Sequence, residues 1–189
     1  MIKKYSILLF TKQIYILDYH SKKDVEQEEK MIMREFRRGD LEPVMDIANA
    51  AWQPIRKMSR EALGDTISDL LNPAGDAESK GLQIKDQIDS GQYGIAVCEH
   101  DGQIVGFITW HIEGCIGAIC NNAARPNTGL KGIGQTMYGF VLEKFHQAGV
   151  KAVAVTTGLD WAHAPARRAY ERAGFRKHLD STTYYMELE

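Results

Sequence analysis

The sequence predicts an α/β (α+β) fold in which amphipathic helices pack on a sheet, and three stretches carry that prediction. The first is Gly129-Leu130-Lys131-Gly132-Ile133-Gly134-Gln135, a glycine-rich loop that opens directly into a helical pattern. Ile133, Met137, Val141 and Phe145 recur at every fourth residue, with Tyr138 and Leu142 beside them, so one face is apolar and seeks a sheet. The second is a hairpin: Tyr93 to Cys98, the turn His100-Asp101-Gly102, and Ile104 to Ile112, all rich in β-branched and aromatic residues. The third is an apolar strand, Val150 to Val155, followed by the helical run Ala162 to Phe175.

The remaining elements follow in chain order. Asp40 is placed to cap a helix with Pro43 in its first turn and Val44, Ile47, Ala48, Ala51 and Trp52 on one side. Ser59 is placed to cap a second, striped by Leu63, Ile67, Leu70 and Leu71 and ended by Asn72-Pro73-Ala74-Gly75. A third helical run carries Leu82, Ile84 and Ile88 and stops near Ser90-Gly91. A strand from Ile116 to Ala123 leads into the glycine loop, and Phe175 to His178 with Thr182 to Leu188 are predicted as closing antiparallel strands.

Composition narrows the function. Of 189 residues, 44% are hydrophobic and 25% charged, which is ordinary for one soluble domain. Lys+Arg number 23 against 25 Asp+Glu, so there is no basic field for nucleic acid. The N-terminal apolar run Tyr5-Ser6-Ile7-Leu8-Leu9-Phe10 is too short to span a membrane and lacks a signal peptide's cleavage site. Cys98, Cys115 and Cys120 are odd in number and lie in strand-like sequence, the pattern of reduced cytoplasmic thiols. No metal-ligand spacing joins them to the histidines, so no metal is expected.

The glycine loop has a function of its own to offer. A helix start exposes unpaired N–H groups and about half a positive charge, and glycines let an anion reach that backbone. Lys131 adds a charge. No Lys-Ser or Lys-Thr follows, so the loop is not a P-loop, and Met137 stands where a dinucleotide fingerprint needs its third glycine.

His163-Ala164-Pro165-Ala166-Arg167-Arg168-Ala169-Tyr170-Glu171-Arg172-Ala173-Gly174-Phe175 resembles the second acetyl-CoA-binding segment of the GNAT superfamily of N-acetyltransferases, Asn-x-x-Ala-x-x-x-Tyr-Glu-x-x-Gly-Phe. Ala166, Tyr170, Glu171, Gly174 and Phe175 are in register. The glycine loop is similar to that family's Arg/Gln-x-x-Gly-x-Gly/Ala pyrophosphate loop, with Gly132 and Gly134 as its glycines. Gly129 stands where Arg or Gln is usual and His163 where Asn is usual, which removes one side-chain contact and alters another.

The resemblance implies a mixed, mostly antiparallel sheet flanked by helices. It also implies that the N-acetyltransferase domain spans residues 31–189, since Met33 to Asp40 reads like the family's first strand and turn, and that residues 1–30 are an extension. The implied reaction is direct attack of a primary amine on the thioester of acetyl-CoA. Cys120, Asn121, Asn122 and Ala123, on the central strand, would pair with the pantetheine arm and offer an oxyanion donor. Gly129, Leu130, Lys131, Gly132, Ile133, Gly134 and Gln135 would cradle the pyrophosphate, with His163 and Ala166 completing the cofactor site. Tyr170 would be the proton donor to the leaving thiolate. Strand alternation puts Phe107, Thr109, His111 and Glu113 on one face, which makes Glu113 the first candidate base and His111 the second, with water a third. Trp52, Arg56, Trp161, Tyr184 and Tyr185 are candidate walls for the acceptor, and Arg56 is a candidate partner for a substrate carboxylate. A small amine or amino-acid-like acceptor is favoured over a protein N-terminus or lysine. A non-catalytic acyl-CoA-binding module is the rival reading, and a homodimer is an arrangement the resemblance allows.

Overall fold

The computed structural model describes residues 31–188, so the proposed extension lies outside the described residues. Strand β1 (Ile32–Glu35) is followed by helices α1 (Leu41–Leu71) and α2 (Ser79–Asp89). Then come strands β2 (Gly94–His100), β3 (Gln103–Glu113) and β4 (Ile116–Ala124), helix α3 (Ile133–Gln147), strand β5 (Ala152–Val155) and helix α4 (Ala164–Ala173). The strands lie in chain order in one sheet. Every pairing is antiparallel except β4 with β5, so the sheet is mixed and mostly antiparallel, as the sequence implies.

The two faces carry different layers. Val44, Ile47 and Ala48 of α1 and Ile84 of α2 pack with Val97, Phe107 and Ala123 on one face. Ile133, Met137, Val141 and Phe145 of α3 and Tyr170 of α4 pack with Ala96, Ile108, Trp110 and Ile119 on the other. Each fully buried large side chain contributes about 1.5–3 kcal/mol through the apolar area it removes from water. A Cβ added at Gly117 would stand 2.7 Å from the Phe145 ring, and one added at Gly106 would stand 2.9 Å from Ile133, so α3 rests directly on the sheet near both of its ends.

Three expectations change. Asp40 occupies the N-cap position of α1 without capping it. Its carboxylate instead accepts from both terminal nitrogens of Arg34 (2.7 and 3.0 Å) and from the Arg37 backbone N–H (2.7 Å). The Ser59 cap is absent because the helix runs on through Pro54, an exposed position, and breaks at Gly64, whose φ of 78° and ψ of 173° suit glycine alone. The closing strands are not formed. Thr182 to Leu188 pairs with nothing, Tyr184 and Leu188 are 89% and 84% exposed, and the outer edge of β5 has no partner among the described residues. Aromatic and β-branched composition favours a pleated surface, but a strand exists only where a ladder forms.

Asp40 ties β1 to the start of α1, and its hydrogen bond from Arg34 holds its carboxyl below the usual carboxylate range against the opposing effect of burial. A depressed folded pKa gives stability that is present above the unfolded value near ~3.9 and is lost as pH falls through the folded one. Asp40→Asn is expected to cost about 2 kcal/mol at pH 7 in urea unfolding, with the gap to wild type closing as the pH is taken below about 4. A gap that persists at acid pH would show that the charge is not the cause.

Candidate active site

Strand β4 is the axis of the site. Its first half, Ile116 to Ile119, pairs with β5, and its second half runs on past the end of β5, so the edge from Cys120 to Ala124 faces no strand among the described residues. On the other side the register slips: Thr109 faces Asn121 and Trp110 faces Ile119, which leaves Cys120 as the extra residue of a bulge. A bulge breaks alternation. The side chains of Cys120 and Asn121 therefore both reach the α1/α2 face, where Cys120 Sγ lies 3.2 Å from His111 Nδ1 and Asn121 meets Thr109 and Gln87. The backbone N–H of Asn121 already donates to Thr109 Oγ1 at 3.1 Å, so it is not free to serve as the expected oxyanion donor.

Asn122 points to the opposite face. Tyr138 donates to its Oδ1 (2.9 Å), and its Nδ2 donates to the Tyr170 hydroxyl (3.0 Å). Burial pushes the Tyr170 phenol up from its ordinary value, against the opposing effects of the hydrogen bond from Asn122 and of the neighbouring Tyr138 hydroxyl. It stays protonated at neutral pH. Because the Tyr170 oxygen accepts from Asn122, its own proton is left to donate elsewhere, and its ring is held against Tyr138 and Phe175 at centroid distances of 5.5 and 6.0 Å.

The glycine loop closes the same end of the sheet. Gly129 and Gly132 have φ of 72° and 85°, and among the described residues the only neighbour within 4 Å of either added Cβ is the Met31 methyl, 3.7 Å from Gly132. The first helical acceptor is the Gly132 carbonyl, taken by Thr136 N–H, so the N–H groups of Ile133, Gly134 and Gln135 have no intrahelical partner. Those donors, the open backbone and exposed Lys131 fit a pyrophosphate, and the free β4 edge fits an amide-bearing arm. The side chains of Ile133 and Leu130 serve the core, and that of Gln135 donates to the Ala169 carbonyl at 3.1 Å, joining α3 to α4. In this loop, then, the backbone N–H groups rather than the side chains of Leu130, Ile133 and Gln135 are what is left to meet an anion.

Other predicted residues divide. His163, in the N-cap position of α4, is held through Nδ1 by Asp160 at 2.6 Å. Burial pulls the Asp160 carboxyl up, and the hydrogen bonds from His163 outweigh it, so the carboxyl lies below its ordinary value. Ala166 packs on the α3-side core and Ala123 on the α1-side core. Glu113 is exposed at the hairpin end, four residues beyond Thr109 or roughly 13 Å at strand spacing, and is not brought to the β4 opening. His111 is. Trp161, Tyr184 and Tyr185 are exposed at 63%, 89% and 46%, and no wall is built from them. Among the described residues there is no cluster of three or more metal-ligating side chains and no helix long and apolar enough to cross a membrane.

The family model of the acetyltransferase (GNAT) family matches residues 52–175, which include the whole bulged strand, the loop and α4 up to Phe175. The chain belongs to the acetyltransferase (GNAT) family. As a member of it, the protein is an acetyl-CoA-dependent acetyltransferase. Solved structures share the fold of this GNAT chain. The PaiA N-acetyltransferase of Thermoplasma acidophilum, in complex with coenzyme A, is similar at TM-score 0.59 and 16% identity over 78% of this chain and 90% of that one. A GNAT acetyltransferase of Brucella melitensis in complex with acetyl-CoA gives 0.54 and 19% over 79% and 84%. An aminoglycoside acetyltransferase from an uncultured soil metagenomic sample, in complex with sisomicin, gives 0.55 and 14% over 84% and 97%. No curated protein matches the chain.

The sequence reading missed Lys80, Gln87 and Thr109 on the α1/α2 face and the hydroxyl of Tyr138 on the other. One signal was present. Two amides side by side, Asn121 and Asn122, in an otherwise apolar strand mean that polar groups are needed on both faces of the sheet at one point.

Proposed function

We propose that this GNAT enzyme moves the acetyl group of acetyl-CoA onto the primary amine of a small molecule by direct attack, with Tyr170 giving a proton to the leaving thiolate. The observation that carries this reading is the Tyr170 hydroxyl fixed by Asn122 beside the unpaired edge of β4, at the end of the sheet that the α3 N-terminus closes. A thioester whose phosphates sit on the loop and whose amides pair with the strand edge would present its carbonyl there. Holding both reactants in one cleft removes much of the entropic barrier. Complexes of coenzyme A, acetyl-CoA and an aminoglycoside with proteins of this fold support the substrate classes.

The amine must lose a proton to attack, since an alkylammonium has a pKa near ~10.4. His111 is our candidate acceptor of that proton: it lies on the α1/α2 face beside the bulge, with Nδ1 at Cys120 and no described contact at Nε2. His111→Asn is expected to lower kcat/KM about a hundredfold, whereas Glu113→Gln leaves it near wild type. The reverse pattern would return the role to Glu113, and no change in either would leave it to water.

The proposal is tested by titrating the protein calorimetrically with acetyl-CoA and CoA and following thiol release over a panel of small amines. Binding with amine-dependent thiol release is the expected result. Binding without release onto any amine, or release only onto protein N-termini or lysines, would overturn it.

A further inference from the structure

On the α1/α2 face of β4 lies a pair of cations that make no ion pair among the described residues. Lys80 is only 6% exposed, yet its ammonium contacts no carboxylate among those residues. It donates to Asn121 Oδ1 (2.6 Å) and Gln83 Oε1 (2.8 Å) and stands 4.3 Å from the centre of the Trp52 ring. An ammonium has three protons, and two are placed. Arg56, one turn beyond Trp52 on α1, is close enough to destabilise the Lys80 charge, and its buried Nε has no hydrogen-bond partner. Asp76 lies near enough to favour the Arg56 charge in part, but it gives one oxygen to Arg60 at 2.8 Å and makes no ion pair with Arg56 or Lys80. Lys80 also sits in the first turn of α2, where the helix dipole opposes a cation and favours an anion.

A buried charge without a counter-ion is costly, and two adjacent like charges are costlier. Both are relieved if an anion enters. The position of the pair identifies which molecule brings it. Asn121, which holds Lys80, belongs to the stretch of β4 that runs past β5, next to the bulge and His111. An acceptor reaching the thioester from this face passes over Trp52 and puts its far end at the cations. We propose that Lys80 and Arg56 hold the carboxylate of the acceptor, so that the substrate class is a small amino-carboxylate and not a polycation such as an aminoglycoside. This rests on the proposed amine acetylation and adds the charge of its acceptor. Trp52, whose ring the Lys80 ammonium faces at 4.3 Å, covers the apolar part of the ligand.

The test pairs each of several free amino acids with its own carboxamide as acceptor in the thiol-release assay. The carboxamides have the more readily deprotonated amine, so without a carboxylate site they would react faster. Wild type is expected to favour the free acids at least tenfold in kcat/KM. In Arg56→Gln and Lys80→Met that ratio falls toward one, mainly through KM, while acetyl-CoA affinity measured by calorimetry is unchanged. Equal use of acid and carboxamide by wild type, or a ratio that survives both substitutions, overturns the proposal, as does turnover of aminoglycosides alone. Since Lys80→Met removes a buried group and could unfold, a second measurement is made on intact wild-type protein labelled with 13C-lysine. Propionate is expected to shift the Lys80 Cε resonance saturably and propionamide to leave it in place. No shift with propionate overturns the carboxylate site, whereas loss of acetyl-CoA binding or of all amine acetylation would instead overturn the reading beneath it.

Discussion

Gly132→Asp is expected to give a folded protein whose affinity for CoA is lower by two orders of magnitude or more. Gly132 is the N-cap of α3 with φ of 85°, and Asp and Asn are among the non-glycine residues that enter this region most readily, at about 1–2 kcal/mol. An Asp side chain at an N-cap accepts from the second or third helical N–H, which offsets much of that strain. The fold therefore survives, and Ile133, Met137 and Val141 keep α3 seated on the sheet. Binding does not survive, for two reasons. The carboxylate occupies the N–H groups of Gly134 and Gln135 that a pyrophosphate needs, and it sets a negative charge against the phosphates. Two like charges 4 Å apart cost about 4 kcal/mol at an effective dielectric of 20, close to a thousandfold in affinity before salt screening. Gly132→Asn has the same shape and the same capping group without the charge, so the difference between the two variants isolates the electrostatic part. Calorimetry with CoA and a thermal melt on each variant decide the matter. If the Asp variant binds CoA as wild type does, the loop is a structural turn and the phosphates sit elsewhere.

This loop was legible in the sequence because its chemistry is local: three glycines and a helix start within seven residues specify backbone that a phosphate can approach. The register of α4, which sets Tyr170, and the β2–β3 hairpin were legible for the same reason. What was hidden is what depends on distant partners. Lys80 sits between Ser79 and Gly81 and reads as solvated, and only its contact with Asn121, 41 residues away, makes it a buried cation. Tyr138 lies on the apolar stripe and is core, as its position says, but its hydroxyl is spent on Asn122, 16 residues earlier. The helix break moved from Ser59 to Gly64 because a capping residue is only an opportunity, and one glycine with a positive φ is a break. The closing strands failed because a strand needs a neighbour, and nothing within Thr182 to Leu188 says whether one is offered. Glu113 and His111 share a face by alternation, as expected, yet sharing a face fixes direction and not distance along the strand.

Tyr170→Phe is expected to lower kcat ten- to a hundredfold while KM for acetyl-CoA stays within about threefold. The substitution keeps the ring, so packing against Tyr138 and Phe175 is retained. What is lost is the one proton that Asn122 leaves free to reach a developing thiolate, an interaction made in the transition state and not with bound substrate. There is also a structural cost, because Asn122 Nδ2 loses its acceptor, which amounts to about 1–3 kcal/mol and a fall in Tm of several degrees. A loss of kcat could come from that alone. Tyr138→Phe separates the two. It breaks the same chain of hydrogen bonds at its other end and frees Asn122 Oδ1, while the Tyr170 hydroxyl remains. A proton-donor role predicts that Tyr138→Phe destabilises by a similar amount and keeps most of kcat. If both variants lose kcat equally, Tyr170 acts by holding Asn122 and β4 in place. If neither does, the thiolate takes its proton from water, and the phenol is packing with a polar tip.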